Sequence, residues 1–313
     1  CRILARTELP GEWASMVGRW KTLNARFIST ANGVRSPSVA DEYMLYQALI
    51  GALPFNGITP EFVARMQGYA EKACREAKLQ TSWLNPDAGY ESGVKQFLAD
   101  ILDRKRSSEF LASLQTFARR TSLIGALNSL SQITLKATIP GVPDFYQGTE
   151  LWDYSLVDPD NRRPVDFTAR ETILDAGTVD MAAVAETWSD GRLKLIWTRR
   201  LLELRQQHAA VFTEGDYMPL SVEGVHSEHV IAFARVYRGD AVVVAVLRHF
   251  ASWTDGGTVW PTYDRLDAAI NIAGLSLSHH GASTVEKLKL NEVLTDLPAV
   301  VMVARTVKSH SSR

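Results

Sequence analysis

Apolar positions recur at helical spacing through most of the first 135 residues and give way, beyond residue 211, to short β-rich runs. Within Pro10–Phe27, Trp13, Met16, Val17, Trp20 and Leu23 fall on one face, which predicts an amphipathic helix with both tryptophans turned inward. Ala40–Leu53 repeats the pattern through Tyr43, Leu45, Ala48, Leu49 and Ala52, and Pro54 ends it. A third helix is announced by Thr59 as N-cap, Pro60 at the first helical position and Glu61 in the first turn. Its stripe is Phe62, Met66, Tyr69, Ala73 and Ala77, while Lys72, Arg75 and Lys78 share another face. That basic face reads either as solvated surface or as a positive rim for a hydroxyl-rich ligand. Val94–Leu102 and Glu109–Ser131 predict two more helices.

Asp190–His208 predicts a helix with Leu193, Ile196, Trp197, Leu201 and Leu204 inward and Arg192, Lys194, Arg199, Arg200 and Arg205 outward. After it, Tyr217–Leu220, Val230–Tyr237, Ala241–Phe250, Val285–Leu290 and Ala299–Val307 are strand-like, with turn residues such as Arg238-Gly239-Asp240 between them. Together they predict a compact antiparallel β-domain over 211–313.

One stretch fits neither texture. Thr138–Phe167, TIPGVPDFYQGTELWDYSLVDPDNRRPVDF, begins like a buried strand and opens into a crowded polar loop. Pro140, Gly141 and Pro143 favour extended or turn conformations at its entry. From Asp144 to Asp166 it carries six carboxylates in twenty-three residues, interleaved with Phe145, Tyr146, Trp152 and Tyr154, the amide of Gln147, and Arg162 and Arg163. A sugar ring offers an apolar face to an aromatic and a rim of hydroxyls to carboxylates and guanidinium groups, so this mixture suits a carbohydrate. The same residues would also serve a rigid surface loop whose aspartates pair with its arginines, and composition does not choose between the two. Upstream, Trp83 and Tyr90 flank the turn Asn85-Pro86-Asp87 and are further candidates for sugar contact or for the core.

Composition narrows the field. At 313 residues, with 46% hydrophobic and 22% charged residues, the chain is long enough for a large core and more than one domain. A net charge of −1 gives no field favouring nucleic acid or an anionic membrane, and no apolar run has the length of a membrane span. Cys1 and Cys74 cannot make a disulfide framework, and a cytoplasmic setting suits them. His226, His229, His249, His279 and His280 lack a companion Cys or carboxylate cluster at ligand spacing, so no zinc site is expected; no phosphate-loop or dinucleotide motif points to a cofactor.

The segment GVPDFYQGTELWDYSLVDPDNRRPVDF resembles the last-strand segment of the α-amylase-like glycoside hydrolase clan, and within it is most similar to the maltooligosyl trehalose synthases. DEYMLYQALIGALP (Asp41–Pro54) and KACREAKLQTSWLNPDAGYE (Lys72–Glu91) resemble further segments of that family, in the same order. The resemblance covers most of Cys1–Arg205. It implies the C-terminal part of a (β/α)8 barrel with a large helical insertion, followed by an antiparallel β-domain. On that plan 1–135 is helical insertion and barrel-associated helix, 136–210 the last barrel strand, substrate loop and closing helix, and 211–313 the β-domain. An incomplete barrel of this kind would leave open strand edges.

The implied activity is isomerisation: the reducing-end α-1,4 bond of a maltooligosaccharide becomes an α,α-1,1 bond. Retaining chemistry of this type needs a carboxylate nucleophile and a carboxylic acid about 5–5.5 Å apart. In the family these groups come from earlier strands, and no matching motif occurs in this chain. The expected roles here are therefore substrate contacts: Tyr146 and Gln147 at the pocket wall, Glu150 behind them, Asp158, Asp160, Asn161, Arg162 and Arg163 on hydroxyls, with Trp83 and Tyr90 as aromatic platforms. The implied partners are a maltooligosaccharide, the N-terminal portion of the same enzyme and a trehalose-releasing hydrolase. Another clan hydrolase or glucosyltransferase, or a non-catalytic carbohydrate-binding protein, are the competing readings.

Overall fold

The computed structural model describes residues 1–31, 33–176, 180–277 and 286–307. Its contacts divide the chain into two units. The first is Cys1–Gly125 with Tyr154–Pro164, and the second is Ala126–Asp153 with Val165–Arg313.

The first unit is helical. It contains α1 (Arg2–Ala5), α2 (Pro10–Asn24), a hairpin of β1 (Ser29–Ala31) and β2 (Val34–Ser36), α3 (Val39–Ala52), α4 (Pro60–Ala77), α5 (Ala88–Ile101) and the first part of α6 (Ser108–Thr138). Caps set the helix starts: Ser38, Thr59 and Asp87 accept from the amides of Asp41, Phe62 and Tyr90 respectively. Both tryptophans of α2 are buried as their spacing predicts, Trp20 completely. The Trp20 ring lies 5.5 Å from Tyr46, 5.6 Å from Phe110, 5.9 Å from Trp13 and 6.3 Å from Phe117, and its Nε1 donates to Ser113 Oγ at 2.9 Å. The hairpin pairs Ser29 with Ser36. Its sequence signal is the Asn32-Gly33 dipeptide, a turn former that the helical texture around it masks.

The second unit joins the rest of α6 to α7 (Phe167–Asp175), α8 (Met181–Glu186), α9 (Arg192–Gln207), α10 (Ala209–Thr213) and two antiparallel sheets. The strands are β3 (Asp216–Pro219), β4 (Val222–Glu223), β5 (Val230–Tyr237), β6 (Asp240–Leu247), β7 (Ala269–Asn271), β8 (Leu275–Leu277), β9 (Lys287–Lys289) and β10 (Ala299–Thr306). One sheet runs β3-β5-β6-β10-β8 and the other β4-β7-β9. β5 and β6 join through Arg238 (φ 47°) and Gly239 (φ 97°), two left-handed residues as a tight hairpin turn requires. β6 is buried from Ala241 to Leu247, so its near-continuous apolar run marks a central strand. Leu130, Ile133 and Ala137 of α6 and Leu193, Ile196, Trp197 and Leu201 of α9 share a core with Phe233, Val242, Val244 and Val246 of the sheet. Trp197 Nε1 donates to Thr134 Oγ1 at 2.8 Å, and Ser131 Oγ to the Leu247 carbonyl at 2.7 Å.

Three expectations change. The buried strand at the opening of 138–167 is replaced by α6, which runs on to Thr138, and 139–159 holds no strand. The helical spacing of Leu130, Ile133 and Ala137 continues past Ser131, and the Thr134 and Thr138 hydroxyls bond back to the carbonyls of Leu130 and Thr134 at 2.8 and 2.7 Å. All strand pairs among the described residues are antiparallel. Lys194, placed outward by the sequence pattern, is only 9% exposed, because the 144–153 segment covers its side of α9. The strand expected from Val285 begins at Lys287, and residues 278–285, with His279 and His280, lie outside the described residues.

Candidate functional site

The central loop is served by two different sets of supports. Residues 154–164 belong to the first unit. There Asp160 accepts from Arg65 through both of its oxygens, Nε and Nη2 each at 2.7 Å, and from the Leu156 amide at 2.6 Å. Arg65 Nη2 also donates to the Tyr154 carbonyl at 2.9 Å. Burial alone would raise the Asp160 carboxyl, but the hydrogen bonds from Arg65 and the Leu156 amide, with the charges of Arg65 and Arg163, bring it below the usual aspartate value. The Tyr154 ring lies 5.8 Å from Phe55 and takes the Arg2 guanidinium at 3.7 Å over its face. Lys72 donates to the Asp158 carbonyl and stands 3.9 Å from its carboxylate, which also pairs with Arg162. Arg163 reaches Ser155 Oγ at 2.8 Å, and Asn161, Arg162 and Arg163 remain exposed.

Nearby in sequence, Trp83 is 56% exposed and lies under the Arg75 guanidinium at 4.8 Å, so one face of its ring is covered and the ring stays accessible. Arg75 is held in turn by Glu91 at 2.8 and 2.6 Å, and Thr81 Oγ1 donates to Glu91 at 2.6 Å. These hydrogen bonds, opposed by partial burial, hold the Glu91 carboxyl low. Tyr90 is corrected from loop aromatic to core residue. It lies inside α5, is 1% exposed, receives the Ser38 amide at 2.9 Å and donates to the Asp41 carboxylate. Burial and that carboxylate push its hydroxyl up to about 12.

Residues 144–153 belong to the second unit. Tyr146 and Gln147 are exposed, and Glu150 pairs with Arg170 at 2.9 Å, whose Nη2 donates to the Gly148 carbonyl at 2.8 Å. Trp152 donates to the Trp188 carbonyl at 2.6 Å and carries the Lys194 amine 5.7 Å from its ring centre. Gly191 (φ 84°) passes so close to Trp152 that a Cβ there would stand 3.0 Å from the Trp152 nitrogen.

Lys194 is the residue that sequence spacing misassigned. Burial, reinforced by the charge of Lys136 and opposed by Asp153 and Glu150, brings its amine down to about 8. A folded-state value below the unfolded one means that the unfolded chain binds the extra proton between pH 8 and about 10.5. Stability of the wild-type chain should therefore rise across that window, by up to about 1.4 kcal/mol per pH unit from this group. Lys194→Met should flatten the rise; urea melts at pH 7, 8, 9 and 10 giving parallel slopes for both proteins would contradict this.

The sequence-predicted residues thus divide. Asp158 and Asp160 gather on α4 with Arg162 and Arg163, Tyr146, Gln147 and Glu150 stand in the other unit, and Tyr90 is in the core. Of the six loop carboxylates, Glu150, Asp158 and Asp160 are engaged by cations and Asp166 caps α7 through the Ala169 amide at 2.9 Å. A carboxylate neutralised in this way binds and positions; it is not poised to deliver a proton. No group of three or more His, Cys, Asp or Glu among the described residues could hold a metal ion. Arg65, Arg170 and Arg2 escaped the sequence because their partners lie far away in the chain. Arg65 alone left a trace, since it stands two helical turns before Lys72 on the same face of α4.

No family model matches the chain. A Mycobacterium tuberculosis protein described as "Putative maltooligosyl trehalose synthase" is 34% identical over 314 residues, covering 96% of this chain and 35% of that protein. The crystal structure of a maltooligosyl trehalose synthase superposes with a TM-score of 0.70 at 29% identity, over 98% of this chain and 37% of the other. The Arthrobacter ramosus maltooligosyltrehalose synthase gives 0.70 at 28%, over 97% and 36%. The chain spans about a third of the length of the relatives it matches. Along nearly its whole length, this chain is similar in sequence and structure to one portion of the maltooligosyl trehalose synthases.

Proposed function

We propose that the chain is the C-terminal portion of an intramolecular glucosyl-transferring isomerase, working in the cytoplasm, that converts the reducing-end α-1,4 linkage of a maltooligosaccharide into an α,α-1,1 linkage. The observation that carries this is the 34% identity sustained over 96% of the chain, which includes the whole 138–167 loop. In this reading the missing N-terminal portion supplies the nucleophile and the acid/base, and the present chain supplies part of the sugar-binding wall. On this reading the strands of a (β/α)8 barrel lie in that portion, with 1–135 as insertion, 136–210 as closing element and 211–313 as β-domain. The engaged state of Glu150, Asp158 and Asp160 supports a binding role over bond cleavage.

Mechanistically, the first carboxylate would displace the terminal glucose from its α-1,4 bond while a second carboxylic acid protonates the leaving oxygen. The freed glucose must stay bound, turn, and attack the glycosyl-enzyme through its anomeric hydroxyl, which regenerates both groups. Water competes at that step, so a wall that grips both sugars decides whether isomer or glucose forms. Exposed Tyr146 and Gln147 in one unit, and exposed Trp83, Asn161, Arg162 and Arg163 in the other, are each suited to stack on rings or bond hydroxyls. The product would then go to a trehalose-releasing hydrolase. Incubating maltopentaose with this chain, alone and with the remaining portion of the enzyme, tests the proposal by product separation. A non-reducing α,α-1,1 product should appear only when both portions are present. Product from the chain alone would overturn the assignment of catalysis to the other portion, and glucose or shorter maltodextrins would indicate a hydrolase.

A further inference from the structure

Three cations stand on one face of α4, and each holds a loop. Arg65 precedes Lys72 by seven residues, two full turns, and Arg75 follows three later on the same side. Arg65 makes three contacts with the 154–163 loop: two to Asp160 at 2.7 Å and one to the Tyr154 carbonyl at 2.9 Å. Its side chain is 18% exposed and that of Asp160 only 11%, so this pair is shielded from solvent in a way that surface ion pairs are not. Asp160 passes the restraint on, because its second oxygen also accepts the Leu156 amide at 2.6 Å. Lys72 holds the Asp158 carbonyl further along the loop. Arg75 does the same for Trp83, covering one face of the ring while Glu91 fixes the guanidinium.

We infer that this face of α4 is a positioning platform, and that Arg65 is the positioning residue that fixes how the loop presents Asn161, Arg162 and Arg163 to a hydroxyl-rich oligosaccharide. The inference rests on the function proposed above for its ligand and on the geometry for the rest. Arg162 and Arg163 keep 72% and 50% of their side-chain surface exposed, while Asp160 faces the helix. The loop thus turns Asp160 inward for its own placement, while Arg162, paired with Asp158, and Arg163, bonded to Ser155 Oγ and the Asp160 carbonyl, keep outward surface for a ligand. Only a planar fork can serve both Asp160 oxygens and the Tyr154 carbonyl at once; an ammonium group would reach fewer of them.

The test compares wild type, Arg65→Ala, Arg65→Lys, Asp160→Ala and the double variant Arg65→Ala/Asp160→Ala in the complete protein encoded by the reading frame. Kinetics are measured on maltopentaose, alongside hydrogen exchange of the 154–163 amides. Loosening a group that only binds substrate removes uniform binding, so Arg65→Ala should raise KM about tenfold and leave kcat within about twofold. Arg65→Lys should fall between the two, and the double variant should be little worse than either single one. Amide exchange in 154–163 should quicken about tenfold in Arg65→Ala, with α2 and α3 unchanged. A merely structural role would instead lower kcat with the folded fraction at unchanged KM, and that result, or unchanged loop exchange, overturns the inference. If wild type itself does nothing to maltopentaose, the proposed function fails. The exchange data then decide Arg65 alone: quickened exchange keeps it as the loop's anchor, unchanged exchange removes it.

Discussion

Trp20→Ala should cost the first unit about 3–5 kcal/mol, the largest loss expected from any single truncation in its core. The ring is fully buried and is met by Trp13, Tyr46, Phe110 and Phe117, all four edge-on. Two of those neighbours are held back from the space left by the indole, because their polar atoms are bonded elsewhere. Trp13 Nε1 donates to Tyr43 at 3.0 Å, and the Tyr46 hydroxyl bonds both Asn24 and Glu42 at 3.0 and 2.7 Å. The substitution also strips Ser113 of its indole donor. Trp20→Phe keeps most of the ring but loses that hydrogen bond, and about 1–2 kcal/mol is expected. Urea melts followed by circular dichroism at 222 nm measure both, and a loss below about 1 kcal/mol for Trp20→Ala would show that the site relaxes.

Arg235→Ala should cost the second unit about 3 kcal/mol. This guanidinium is 2% exposed on β5, and burial lowers its pKa. It donates to the carbonyls of Phe212 at 3.1 Å, Gly215 at 2.7 Å and Thr138 at 3.2 Å, acceptors at the ends of α10 and α6 and before β3. Truncation leaves three inward carbonyls without their donor and opens a cavity. Arg235→Met leaves the same carbonyls bare and removes the same buried charge, but it fills the volume, so it should cost less than Arg235→Ala. Thermal melts of the two variants test the order; equal losses would mean that volume plays no part. The same substitutions should leave exchange at 154–163 unchanged, which separates a fold effect from a loop effect.

The elements that the sequence announces are those whose cause is local. α4 carries its own N-cap and proline, α2 its own tryptophan spacing, and β5 and β6 a hairpin turn between apolar runs. The loop chemistry at Asp144–Asp166 was legible as composition, since six carboxylates amid aromatics survive any folding of the backbone. What each carboxylate does was not legible. Asp160 is bound by a residue 95 positions away, and no spacing along the chain encodes that pairing. Tyr90 was misplaced because the turn before it is real, but Asp87 caps α5 at once and carries the ring inward. Lys194 failed for a similar reason: helical periodicity assigns faces, and a distant segment decided which face was covered. At Thr138 two periodicities competed, and the apolar helical spacing of Leu130, Ile133 and Ala137 won where a strand had been expected.

The larger sheet has long central strands and short margins. β5, β6 and β10 are eight residues each, whereas β3 at one margin has four and β8 at the other has three. β3 also ends in Pro219, which has no amide hydrogen to offer a neighbour. Among the described residues, a foreign β-segment meeting this sheet in concentrated solution would find only a few consecutive backbone groups to zip onto at either side. The most β-prone sequence in the protein, the valine run of β6, is sealed between two partners and is released only by unfolding. Fibril seeding should therefore depend on the rate at which this unit unfolds, not on collisions between folded molecules.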